Sequence, residues 1–84
     1  MEVDAIRAEL DQEPFVPFRL HLSDGKTFDV PFRAVAHIVV GGLLVFVRLK
    51  EGTVSAEGYK HFGFDQVLRI EARPALGGKR KKAS

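Results

Sequence analysis

Hydrophobic and polar residues alternate from residue 18 to residue 32, with one interruption at residues 23–25. Alternation with a period of two is typical of a strand that buries one face, so this segment predicts two strands joined by a tight turn. A two-residue turn would place apolar side chains opposite polar ones. A three-residue loop instead pairs Leu20 with Phe28, and it requires a left-handed backbone at Gly25. We therefore predict a bulged hairpin with a positive φ at Gly25.

The rest of the chain predicts one helix and about three further strands. Apolar residues recur with helical spacing over residues 2–12, and two prolines follow, so we expect a helix there. Gly41-Gly42 is a typical two-residue turn. The pattern predicts a mainly β fold with one N-terminal helix and a strongly bent, five-stranded antiparallel sheet or a small, partly open barrel. The expected strands cover residues 16–22, 26–32, 37–40, 43–50 and 64–72, with a weak extended segment at 53–57.

Chain length and composition predict one domain over residues 1–76. An 84-residue chain with 45% hydrophobic and 29% charged residues has the composition of a small globular domain. Pro74 and the pair Gly77-Gly78 end the ordered pattern, and we expect residues 77–84 to form a disordered basic tail. The chain contains no cysteine, so it has neither a disulfide nor a thiolate for catalysis.

Positive charge is concentrated near the C-terminus. The formal net charge is +2, but four of the 13 basic residues are Lys79, Arg80, Lys81 and Lys82. The other nine are outnumbered by 11 acidic residues. Two interpretations follow: a flexible arm that contacts nucleic-acid phosphates without reading sequence, or a tail that only increases solubility. The sequence favours the second.

We expect a cytoplasmic protein without a membrane segment. The longest apolar runs, residues 35–40 and 43–47, are separated by two glycines and are far shorter than a bilayer span. Glu2 and Asp4 replace the basic start of a signal peptide.

No motif in the chain predicts an enzyme, a cofactor or a metal site. The three histidines, His21, His37 and His61, lack the local spacing of zinc ligands and have no cysteine beside them. His21 is expected on the solvent face of its strand. Asp24 belongs to a turn, where a carboxylate usually binds nearby backbone, and no second carboxylate is close enough in sequence to form a catalytic pair.

Aromatic residues cluster between two glycines near the end of the chain. Such a segment could stack bases or could contribute to a small core, and core packing is the favoured interpretation. Apolar side chains on the polar face of a strand suggest an interaction surface instead. The residues expected to form that surface are Leu44, Phe46, Tyr59 and Phe62.

Two resemblances accompany these patterns. The opening Pro14-Phe15-Val16-Pro17-Phe18, continued through Leu20, Leu22, Asp24, Gly25 and Phe28, is similar to that of small uncharacterised bacterial proteins, as is the ending at residues 67–71. More distantly, a helix followed by a strand ending in Leu-x-Asp-Gly resembles the Sm-like small β-barrels, which are related in shape to SH3 barrels. That family usually has a glycine in its second strand, where this chain has Val30-Pro31, and its RNA-contacting second motif has no counterpart here.

Taken together, the sequence favours a small non-catalytic interaction or assembly domain, which could form a homo-oligomer. Open sheets present unpaired edges that a second copy can satisfy. The alternative is an Sm-like nucleic-acid-binding module assisted by the basic tail. The expected partner is therefore another protein, self or other, with nucleic acid as the alternative.

Overall fold

The computed structural model describes residues 1–75 and contains one helix and six strands within them. The predictions made for residues 76–84, including the disordered basic tail, concern residues outside this range. The N-terminal helix and the mainly β character are confirmed. The elements are α1 (Val3–Leu10), β1 (Phe18–Leu22), β2 (Thr27–Val30), β3 (Ala36–Val39), β4 (Gly42–Val47), β5 (Gly58–Phe62) and β6 (Val67–Ala72), with 3-10 turns at Arg33–Val35 and Phe64–Gln66.

The strands form two antiparallel sheets of three strands each. The first sheet has the order β2-β1-β6 and the second has the order β3-β4-β5. The expectation of five strands in one bent sheet is therefore wrong in both number and arrangement. Since β2 is not paired with β5, the two sheets do not close into a barrel on that side.

The predicted hairpin register is confirmed. Leu20 lies opposite Phe28, and Gly25 has a φ of 89°. The amide of Gly25 donates to the carbonyl of Leu22 over 3.0 Å. The amide of Leu22 donates to the carbonyl of Lys26 over 2.9 Å. The Asp24 carboxylate accepts the Lys26 amide at 2.9 Å, so it stabilises the turn as expected.

One hydrophobic core joins the helix to both sheets. Ile6 and Leu10 lie one turn apart on α1 and are fully buried, which is the helical stripe that the sequence predicts. The inward positions of β1 are buried because they alternate with polar ones. The core consists of Ile6, Leu10, Phe18, Leu20, Leu22, Val30, Val35, Ala36, Leu43, Val45, Phe62 and Val67.

The segment from residue 48 to residue 62 differs most from the sequence prediction. β4 ends at Val47 instead of residue 50, and Arg48 adopts a positive φ of 53°. Residues 53–57 form bends and irregular backbone instead of a weak strand. The turn before them is closed by the Thr53 amide, which donates to the Lys50 carbonyl. Residues 59–62, for which the sequence pattern allows an irregular loop or a short helical turn, belong to β5 instead. Its alternation is hidden because a lysine occupies one of its inward positions.

Two smaller corrections concern single positions. The turn between β3 and β4 consists of Val40 and Gly41, because Gly42 already pairs with Val39. Only Gly41 in this turn has a positive φ, which suits its second position. Leu68, a possible core anchor in the sequence, is 63% exposed because a bulge in the β1–β6 pairing turns it outward.

Candidate interaction surfaces

The outer face of the second sheet brings together three of the four residues predicted to form an interaction surface. Leu43 and Val45 are buried, so the alternate residues of β4, Leu44 and Phe46, point to the other face. Phe46 lies opposite Tyr59 in the ladder. Leu44 lies between His37 on β3 and His61 on β5. We call these five side chains, His37, Leu44, Phe46, Tyr59 and His61, the aromatic face.

Local contacts order part of the aromatic face. The His37 ring meets the Phe46 ring edge-on, with 5.7 Å between centroids. His37 Nε2 lies 2.7 Å from the Ala34 carbonyl, which can only accept, so this nitrogen donates. Leu44 and Phe46 are half-buried by their neighbours, whereas Tyr59 is 63% exposed. The part of the surface that is already ordered, at His37 and Phe46, loses little conformational entropy when it binds.

The other predicted site residues lie elsewhere. Phe62 points inward from β5, is 7% exposed and packs on Phe28 with 5.4 Å between ring centroids. Phe62 therefore belongs to the core, which confirms the favoured interpretation of this side chain as a core residue. The prediction that Phe62 also lies on the interaction surface is wrong. The basic residues 79–82 are outside the described part of the chain.

An open cleft of about 190 Å³ lies where β2 and β5 approach each other. The sequence did not predict this cleft because its two sides are more than 30 residues apart along the chain. Its inner wall is apolar, with Leu22, Phe28 and Phe62 buried or half-buried. The remaining lining side chains are exposed and polar: Asp24, Lys26, Lys60, His61 and Gln66.

The outer face of the first sheet is charged, in contrast to the aromatic face. Arg19 lies directly opposite Asp29, and its Nε donates to Oδ1 over 2.7 Å. His21 Nε2 lies 2.8 Å from Glu71 Oε1, and Arg73 lies 3.4 Å from the other oxygen of the same carboxylate. His21 is therefore half-buried and bonded instead of freely solvated. The contact with His21, reinforced by Arg73, lowers the pKa of Glu71.

This lowered pKa predicts an acid-sensitive contribution to stability. Ionised Glu71 stabilises the folded state above the ordinary glutamate pKa of about 4.3, and the contribution is lost as pH falls through the lower folded-state pKa. We expect Glu71→Gln to reduce the urea midpoint at pH 7 by more than it does at pH 3. Urea denaturation followed by circular dichroism at pH 7 and pH 3 measures the difference in midpoint between the variant and the unmodified protein. An equal difference at both pH values would contradict the assignment.

Glu57→Gln is the matched control for that experiment. Glu57 pairs with Arg48 at 2.6 Å, but both side chains are more than 60% exposed. Solvent and salt screen such a pair, so we expect little change at either pH.

The described residues contain no group of three or more histidine, cysteine, aspartate or glutamate side chains placed to hold a metal ion. Across residues 1–75, no helix has both the length and the apolar character required to cross a bilayer. Comparison with protein-family models, curated proteins and solved structures found no match for this chain.

Proposed function

We propose that this protein is a small, non-catalytic interaction domain that assembles with further copies of itself through the aromatic face. The observation that carries the proposal is the convergence of Leu44, Phe46 and Tyr59 on one ordered surface. Aromatic residues are enriched in the centres of protein interfaces, where they contribute most of the binding energy. On the charged outer face of the first sheet, by contrast, Arg19 and Glu71 each form an ion pair within the chain.

The size of the aromatic face sets the expected strength of this assembly. Three strands about 4.8 Å apart and four to six residues long present a face of roughly 250 Å². A stable dimer usually buries about 800 Å² per partner. Self-association through this face is therefore expected to be reversible, with a dissociation constant in the micromolar range or weaker.

Replacing Tyr59 with lysine is expected to abolish self-association. Tyr59→Lys places a charge at the most exposed apolar position of the aromatic face, on its edge strand β5, and two facing copies would then bring like charges together. Sedimentation velocity from about 1 to about 500 µM would show a rising average mass for the unmodified protein and a monomer for this variant. A monomer at every concentration of the unmodified protein would refute the proposal.

Leu68→Lys provides the matched control. Leu68 has the same 63% exposure as Tyr59 but lies on β6 of the first sheet. The Leu68→Lys substitution introduces the same charge at an equally exposed apolar position outside the aromatic face, so we expect self-association to persist. Loss of assembly in both variants would point to a general charge effect instead of the aromatic face.

The second candidate is the Sm-like nucleic-acid-binding module. The observation that favours it is the run Lys79–Lys82, whose cations would contribute a salt-dependent attraction to phosphates. Residues 1–75 by themselves carry nine basic and 11 acidic side chains, which does not favour a phosphate-binding body. Titrating short RNA and DNA at low salt into the full chain and a version ending at Ala75 separates a tail effect from binding by the body.

A further inference from the structure

Two unpaired strand edges flank the cleft between β2 and β5. Within the described residues, β2 pairs only with β1, and β5 pairs only with β4. Each strand therefore has one edge whose backbone groups are not used in a ladder. Such an edge is a template for an additional strand, and many proteins bind extended peptides in this way.

The volume and the inner wall of the cleft indicate what it accepts. Small-molecule sites usually exceed about 300 Å³, whereas this cleft has a volume of about 190 Å³. It therefore suits one or two side chains of a longer segment better than a whole cofactor. Phe28 and Phe62 pack against each other along its wall, so the inserted side chain should be apolar.

Two lysines and one aspartate, Asp24, line the cleft, so its net charge is positive. Lys26 and Lys60 both line it, and neither ammonium group forms an ion pair with a carboxylate of residues 1–75. Lys60 lies opposite Val45, a core residue, so it occupies an inward position of an edge strand. A lysine placed in this way opposes pairing with an uncharged strand. A strand that brings carboxylates would instead be attracted.

We propose that this cleft binds an extended, acidic segment of a partner protein. The segment adds as a strand beside β2 or β5, places an apolar side chain against Phe28 and Phe62, and pairs its carboxylates with Lys26 and Lys60. The proposal goes beyond self-assembly, because it concerns a different surface and a different partner. The two surfaces share only His61, which neither Tyr59→Lys nor Lys60→Glu changes, so each proposal is tested by its own variant.

Nucleic acid fits the same cleft less well. The free backbone edges, which a peptide strand would use, have no corresponding role with a nucleotide chain.

The test uses the full chain and a synthetic peptide of about seven residues, the length of an ordinary strand. The peptide reads valine, glutamate, valine, phenylalanine, valine, glutamate, valine. The central phenylalanine and both glutamates therefore lie on one face of the strand. Proton–nitrogen correlation spectra should show saturable shifts at residues 26–28 and 60–62. A peptide with lysine in place of glutamate should bind at least about tenfold more weakly, since it meets like charge.

Lys60→Glu and Lys50→Glu form a matched pair of variants. Both lysines are exposed, but Lys50 follows β4 and does not line the cleft. We expect Lys60→Glu to weaken the acidic peptide at least about tenfold and Lys50→Glu to change it by less than about twofold. Absence of saturable shifts at millimolar peptide, or equal effects of the two variants, would overturn the proposal. So would tighter binding of oligothymidine than of the peptide at the same residues.

Discussion

Leu20→Ala is expected to destabilise the folded state by about 3–5 kcal/mol. Leu20 is fully buried at the centre of β1, the middle strand of the first sheet, with Phe28 and Ile70 opposite it on the two neighbouring strands. Its removal leaves a cavity between three strands that cannot collapse without breaking two ladders. A chain of this length has a total stability of roughly 4–13 kcal/mol. The variant should therefore lose from about a quarter to all of that stability at 25 °C.

Leu68→Ala is the control for the same chemical change. Leu68 is 63% exposed, and truncating it should alter stability by no more than about 0.5 kcal/mol. Urea denaturation followed by circular dichroism measures both variants. If Leu20→Ala and Leu68→Ala lost similar amounts of stability, the register between β1 and β6 would not be the one described here.

Gly42→Ala is the second large effect, and we expect a loss of at least about 2 kcal/mol. A Cβ atom at this position would overlap the Phe62 carbonyl oxygen and lie 2.9 Å from the Phe62 carbonyl carbon. Both atoms belong to the backbone of β5, so no side-chain rotation relieves the contact. The second sheet would have to separate between β4 and β5, and the aromatic face would be disturbed with it.

Gly58→Ala serves as the control for Gly42→Ala. Gly58 lies at the start of β5, on the same pair of strands, but a Cβ there would meet nothing within 4 Å. Because alanine restricts the unfolded chain, this variant should be neutral or more stable by up to about 1 kcal/mol. Thermal unfolding of both variants distinguishes a steric effect from the general cost of changing a strand glycine. Equal destabilisation would contradict the close approach at Gly42.

The two proposed surfaces divide the protein by chemistry. The aromatic face offers apolar and imidazole groups on a sheet, whereas the cleft combines an apolar wall with two lysine ammonium groups that form no ion pair within residues 1–75. A protein that assembles through the first could present the second to partners. The effects of Tyr59→Lys and Lys60→Glu should therefore be independent, since they change different contacts.

Local sequence determined the features whose physical causes are close together in the chain. The register of the β1–β2 hairpin follows from alternation and from the need for a left-handed residue at Gly25, all within about 15 residues. The helix stripe of Ile6 and Leu10 is likewise local, because one helical period relates them. Leu44 and Phe46 could be recognised as apolar residues on the outward side of a strand for the same reason.

Only the tertiary structure decided how these elements combine. β1 pairs with β6 across some 50 residues, and this pairing separates the strands into two sheets. β5 is a strand because it hydrogen-bonds to β4, although Lys60 interrupts the alternation that would have revealed it. The same long-range arrangement brings Lys26 and Lys60 to one cleft. The sequence by itself thus determined the hairpin, the helix and the apolar residues of β4. The sheet arrangement and the cleft depend instead on contacts between segments far apart in the chain, and no local pattern indicates which distant segments come together.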